Sequence, residues 1–76
     1  MEEIVLIKPF ITLGQLLQVS GFANSGVQAK FLLQSLAISV NNLKENRRGR
    51  KLFAGDVVNI SDRLFLIKDG NSQNTT

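Results

Sequence analysis

Apolar positions along this 76-residue chain fall into short blocks whose spacing changes from strand-like to helical and back. Ile4-Val5-Leu6-Ile7 is a branched, apolar run stopped by Lys8-Pro9, and it predicts an N-terminal strand. Proline at its end suits an edge or an exit, not a central strand. A helix start follows. Thr12 can N-cap, Gln15 stands three residues on as the capping-box partner, and Ile11 can staple onto Leu16. Leu13, Leu16 and Leu17 mark one apolar face, and Gly21 is a stop signal. Gly14 weakens this helix by about 1 kcal/mol relative to Ala, which predicts close packing or a short helix.

The second helix is announced the same way, by Ser25 with Gln28 as its capping-box partner and Asn24 as a competing cap. Ala29, Leu32, Leu33 and Leu36 form one helical stripe, with Lys30 and Gln34 on the other side. Two short helices cannot bury both stripes against each other, so a third layer is needed. Ala37 to Val40, Lys51 to Phe53, Val57 to Ile60 and Leu64 to Ile67 supply it as short strands. Turns at Asn41-Asn42, Ala54-Gly55-Asp56 and Ser61-Asp62-Arg63 separate them, Asn tolerating left-handed backbone well. The expected class is α+β, with two short helices in a helix-turn-helix-like arrangement packed on a small antiparallel sheet. One domain spans residues 1–68, and Asp69 to Thr76 reads as a polar, frayed tail.

Composition narrows the chemistry. With no Cys and no His, zinc sites, Cys or His nucleophiles and a histidine base are excluded. Asp56 and Asp62 read as turn residues, and no nucleophile, metal shell or cofactor motif accompanies them. The expectation is a protein without catalysis, cofactor, metal or small-molecule substrate. No apolar run approaches the ~20 residues a membrane span needs. The Met1-Glu2-Glu3 start is unlike a secretory signal, so a soluble, cytoplasmic protein is expected.

Charge changes the picture most. Lys44, Arg47, Arg48, Arg50 and Lys51 crowd one octet with a single acid, Glu45, for a local charge of +4 in a chain of net +3. Everything outside the octet is slightly acidic. Charge concentrated in this way is a statement about partners.

The order of several short signals then carries a resemblance. Gly21-Phe22-Ala23, Ser25, Gln28-Ala29-Lys30, Val40-Asn41-Asn42 and Gly55-Asp56-Val57-Val58 resemble the pattern of the RNA-binding domain named after ribosomal small-subunit protein S-four. That pattern comprises a Gly-hydrophobic-Ala/Ser turn, a Ser-Arg-x-x-Ala helix start, a Val-Asn-Gly hairpin and a late Gly-Asp turn. The likeness runs from about Thr12 to Ile60. Ile11 to Gln15 and Glu45 to Leu52 look closest to the short stand-alone YaaA-like bacterial proteins, with the YbcJ-like group nearby. Two departures stand out: Ser25-Gly26 lacks the family's arginine, and Asn42 replaces a glycine.

The resemblance implies an αL-motif RNA-binding fold and structured RNA, ribosomal or transfer RNA, as partner, with ribosomal particles and ribosome assembly or translation as the setting. Arginine forks match phosphate oxygens and stack on bases, so Arg47, Arg48 and Arg50, flanked by Lys44 and Lys51, are the expected grip. Gly49 is expected to let the loop turn sharply. Lys30 faces nucleic acid in the family, and Ser25 and Gln28 combine capping with the phosphate affinity of a helix N-terminus. Phe53 and Phe65 are expected in the core, while Phe31 is left open to base stacking. Two other readings stand beside this one: a duplex-DNA-binding helix-turn-helix, for which Lys30, Gln28 and Gln34 are sparse readers, and an adaptor whose basic loop docks on an acidic protein.

Overall fold

The computed structural model describes residues 1–70 and resolves the short apolar blocks into nine elements. In chain order these are β1 (Glu2–Leu6), β2 (Ile11–Thr12), α1 (Leu13–Val19), α2 (Gly26–Ser35), β3 (Ile38–Val40), β4 (Leu43–Lys44), β5 (Lys51–Leu52), β6 (Val57–Ile60) and β7 (Arg63–Asp69). Five strands form one sheet in the order β1-β7-β6-β3-β4, and β2 pairs with β5 in a separate two-stranded ribbon. Alternation decides the faces of the large sheet. Ile38, Val40, Val58, Ile60, Phe65 and Ile67 point inward and bury against Leu13, Leu16 and Leu17 of α1 and Ala29 and Leu33 of α2. The α+β class with both helices on one face of a small sheet is as expected.

The sheet is mixed, however, not purely antiparallel. β1 lies parallel to β7, from Glu2 opposite Phe65 to Leu6 opposite Asp69. The first and last strands can pair this way because the whole domain separates them, as a parallel crossover requires. β1 is an edge strand, in keeping with Pro9 at its exit. Its start is held by a bidentate pair in which Arg63 Nε and Nη2 donate to the Glu2 carboxylate at 2.8 and 2.7 Å. β7 extends through Asp69, and Gly70 N–H still donates to the Leu6 carbonyl. Asp69 therefore belongs to the sheet and Gly70 is tied to its edge strand, and the rest of the expected tail, 71–76, lies outside the described residues.

The helix starts form largely as read. Thr12 and Gln15 make a full capping box, Gln15 N–H to Thr12 Oγ1 at 3.2 Å and Thr12 N–H to Gln15 Oε1 at 2.8 Å. At α2 the box is skewed: Ser25 Oγ accepts from Gln28 N–H, but Gln28 Oε1 reaches one residue further back, to Asn24 N–H at 2.6 Å. Ser25 is therefore the N-cap, and Asn24 contributes its backbone N–H and not a competing cap. Gly21 ends α1 with a φ of 91°, a left-handed conformation that glycine adopts without penalty. Asn41-Asn42 and Ser61-Asp62 turn β3 into β4 and β6 into β7, all four residues with positive φ. Such two-residue loops match the twist of the strands they join. The Asn41 and Gly55-Asp56 signals, far apart in sequence, meet: Asn41 Nδ2 donates to Asp56 Oδ1 at 3.0 Å. Among the described residues no helix is long and apolar enough to cross a membrane.

Candidate nucleic-acid interface

The first turn of α1 holds the basic loop in place. N–H groups at a helix start have no partner inside the helix. Here the loop supplies two: Leu13 N–H donates to the Arg50 carbonyl at 2.8 Å and Gly14 N–H to the Arg48 carbonyl at 3.0 Å. β2 and β5 continue the contact, Thr12 opposite Lys51 and Ile11 opposite Leu52. Gly14 has the close neighbour its sequence position predicts, because a Cβ there would lie 2.5 Å from Arg48 Cγ. The absent side chain is the seat of Arg48.

Glu45 shapes the loop from inside. It is buried, 8% exposed, and a buried carboxylate is tolerable only when its lone pairs are filled. Arg47 Nε and Nη2 donate to it at 2.9 and 3.1 Å, Arg50 Nη1 at 2.7 Å and Arg47 backbone N–H at 3.1 Å. Such charge-assisted bonds are about twice as strong as neutral ones. The Arg47 guanidinium, foremost, holds the Glu45 carboxyl down at about 2, against burial that pushes it up; the Arg47 N–H and Arg50 add to the lowering. Gly49 does not occupy the left-handed region, so the turn does not need glycine. Its bend comes from the Glu45 clamp and from Arg50 N–H donating to the Arg47 carbonyl at 3.2 Å.

The five basic residues consequently part company. Arg47 and Arg50 share one carboxylate and form a unit of net +1. Lys44 is on β4 opposite Ser39, beside Asn59 and Asp62 on another concavity. Lys51 lies over the Phe10 ring at 4.9 Å. Arg48 alone enters the space between the helices. It lines a groove of about 300 Å³ with Lys30, Gln34 and Asn46. Its other side borders a second hollow, of about 280 Å³, formed with Thr12, Gln15, Gln18 and Gly26. Among the described residues no ion pair engages Lys30 or Arg48. The structure therefore brings together Lys30 and Arg48 of the eight residues singled out, and keeps Lys44 and Lys51 apart from them. Ser25 and Gln28 are exposed at the start of α2, with their side-chain oxygens committed to capping.

Three further features escape the sequence reading. Gln18 in the hollow and Asn46 in the groove add amides to the walls beside Gln34, which the sequence offers only as a reader of duplex DNA. Glu45 is the organiser of the loop; its position as the sole acid among five cations is a signal for that role. Phe53, expected in the core, is 49% exposed, because it lies just past β5 on the outer face of the ribbon, while Leu52 turns inward. Phe65 is buried as expected. Phe31 is largely exposed on α2, and Phe22 packs edge-on against Phe65 at 6.4 Å. Among the described residues no cluster of metal-ligating side chains forms.

A helix pair on one side of a small mixed sheet, with a basic loop pinned to the first helix, defines a small α+β class of fold. Comparison gives the family: the model of the S4 domain matches residues 4–68, so the chain belongs to the S4 domain family. It is also 50% identical over 50 residues to the "Probable ribosome maturation protein RlbA" of Bacillus subtilis, a match covering 66% of this chain and 70% of that protein. Membership of this family supports an RNA-binding role.

Proposed function

We propose that this chain is a non-catalytic module that grips structured RNA in the groove that α2 and the basic loop form around Lys30 and Arg48, and in the adjoining hollow against α1, ribosomal RNA being the first candidate and transfer RNA the second. Its work would be in ribosome assembly, as the name of its Bacillus subtilis relative suggests. The observation that carries the reading is the placement of Arg48. Its carbonyl is tied to Gly14, the stem of its side chain lies against that glycine, and the residue lines a groove with Lys30. Anchoring the backbone and stem reduces the freedom this side chain loses on meeting a phosphate. Lys30 supplies a second cation, and the amides of Gln18, Gln34 and Asn46 supply donors and acceptors for phosphate oxygens and 2′-hydroxyls, the groups by which folded RNA is recognised. Lys44, Lys51 and the Arg47–Glu45–Arg50 unit add a surrounding positive field, and Ser25 and Gln28 border the start of α2 beside it. The absent arginine at Gly26 leaves more of the grip to Arg48.

Crosslinking in cells followed by sequencing of the attached RNA tests this directly. Enrichment of ribosomal RNA is the expected result. In vitro, a structured RNA hairpin should outcompete duplex DNA of equal length at fixed salt; preference for the duplex would sink the reading. Partners that persist after ribonuclease treatment would favour a protein adaptor instead.

A further inference from the structure

Beside the phosphate-facing groove, the β2–β5 ribbon presents a second kind of surface. Strand alternation sends Ile11 and Leu52 into the core and turns Thr12 and Lys51 outward. Phe10 and Phe53 are the next residues along, one at each strand's end, and they lie on that same outer face. Their ring centroids are 5.8 Å apart at a tilt of 50°, and Lys51 Nζ stands 4.9 Å from the Phe10 centroid. Phe53 remains 49% exposed and Phe10 partly so. The backbone under Phe53 is fixed: its N–H donates to Asp56 Oδ2 at 2.8 Å, its carbonyl accepts from Asp56 N–H at 3.0 Å, and Gly55 N–H donates to the Ile67 carbonyl. Two part-exposed aromatics on a pinned turn, with a lysine at their edge, are costly to leave in water and well arranged to receive a flat ring.

We propose that Phe10 and Phe53 form a stacking platform for an unpaired nucleobase, with Lys51 holding the phosphate beside it. The inference rests on the RNA-binding reading above and deepens it: the target carries an unpaired nucleotide next to its folded part. Thr12 and Lys51 connect the two sites, since Thr12 borders the Arg48 hollow and pairs with Lys51 on the ribbon. Base–aromatic stacking tolerates any base because every base has a π-face, and a purine, offering more ring, gains most. Phe31 is also exposed, but among the described residues it has neither a ring nor a cation beside it.

The test compares a blunt RNA hairpin with the same hairpin carrying a five-adenosine single-stranded extension. The wild-type chain should bind the extended form about tenfold more tightly, the gain of one stacked base. Phe53→Leu should abolish that preference while binding the blunt hairpin as before, which also reports that it has folded. Phe53→Trp should keep the preference. An extension containing 5-bromouridine should crosslink to the peptide bearing Phe10 or Phe53. Equal affinity of the wild type for the two hairpins, an undiminished preference in Phe53→Leu, or a crosslink at Phe31 alone would overturn the platform and leave the groove standing. Failure of the wild type to bind either hairpin would overturn both.

Discussion

Two arginine positions one residue apart, 47 and 48, follow opposite physical logic. Arg47, together with Arg50, turns back onto Glu45, making a nearly dry carboxylate the hub of four hydrogen bonds. Arg48 makes no ion pair among the described residues and is carried into the groove beside Lys30 by a backbone bond to α1. One half of the loop uses its charge to fix its own shape; the other half leaves its charge outside any ion pair among the described residues. A cluster of cations in a sequence therefore overstates the charge on offer. The difference also shows what directs each side chain: a buried acid for the first pair, and the free N–H groups of a helix start, with a missing Cβ, for the second.

Breaking the closed half should have the largest effect. Glu45→Ala removes the acceptor of four bonds, and bonds to charged groups contribute about 1.5–3 kcal/mol when deleted. Because Arg47 can return to water, we expect about 2 kcal/mol of lost stability, a fall in Tm of roughly 8–16 °C for a domain this size by thermal denaturation. Breaking the open half should leave Tm within about 1–2 °C but lower affinity for a structured RNA hairpin: Arg48→Ala by about tenfold. Loss of stability without loss of affinity in Arg48→Ala would reverse the assignment.

Acid separates the halves more gently. The Glu45 carboxyl sits at about 2 in the fold against an ordinary value of 4.5. A depressed value means a stabilising contribution that is complete above about 4.5 and is lost as pH falls toward 2. Urea titrations at a series of pH values should show this loss in the wild type beyond whatever remains in Glu45→Gln, whose side-chain amide cannot titrate. Curves that fall in parallel would mean that Glu45 does not hold the loop. The smallest effect belongs to Gly49→Ala. With its φ outside the left-handed region and open space around it, stability should stay within about 0.5 kcal/mol of the wild type.

Elements with strong local chemistry are legible in the sequence itself. Thr12 and Gln15, the Leu13-Leu16-Leu17 face, the Gly21 stop and the Asn41-Asn42 turn each act over a few residues, and each forms as read. Pairings across the chain are not legible in this way. The parallel β1–β7 pair joins the two ends, and β2 is only two residues long, concealed in what reads as a helix cap. Phe53 defies its expected burial for the same reason: whether it points in or out depends on the register of a ribbon that local pattern cannot reveal. In the candidate site, the residue types are legible and their division is not. Nothing in the order of Arg47, Arg48 and Arg50 states which guanidiniums Glu45 will take, since that depends on where the loop meets α1.

The most direct test of the groove is the salt dependence of RNA binding. Each phosphate neutralised by a cation adds about one unit to the slope of log affinity against log salt. Titrating one hairpin with the wild type, Lys30→Ala/Arg48→Ala and Lys68→Ala between about 50 and 200 mM salt isolates the groove, because Lys68 is on β7 beside Glu3. We expect the double variant to lose about two units of slope and Lys68→Ala to lose none. An unchanged slope in the double variant would contradict the account, placing the RNA on another face of the molecule.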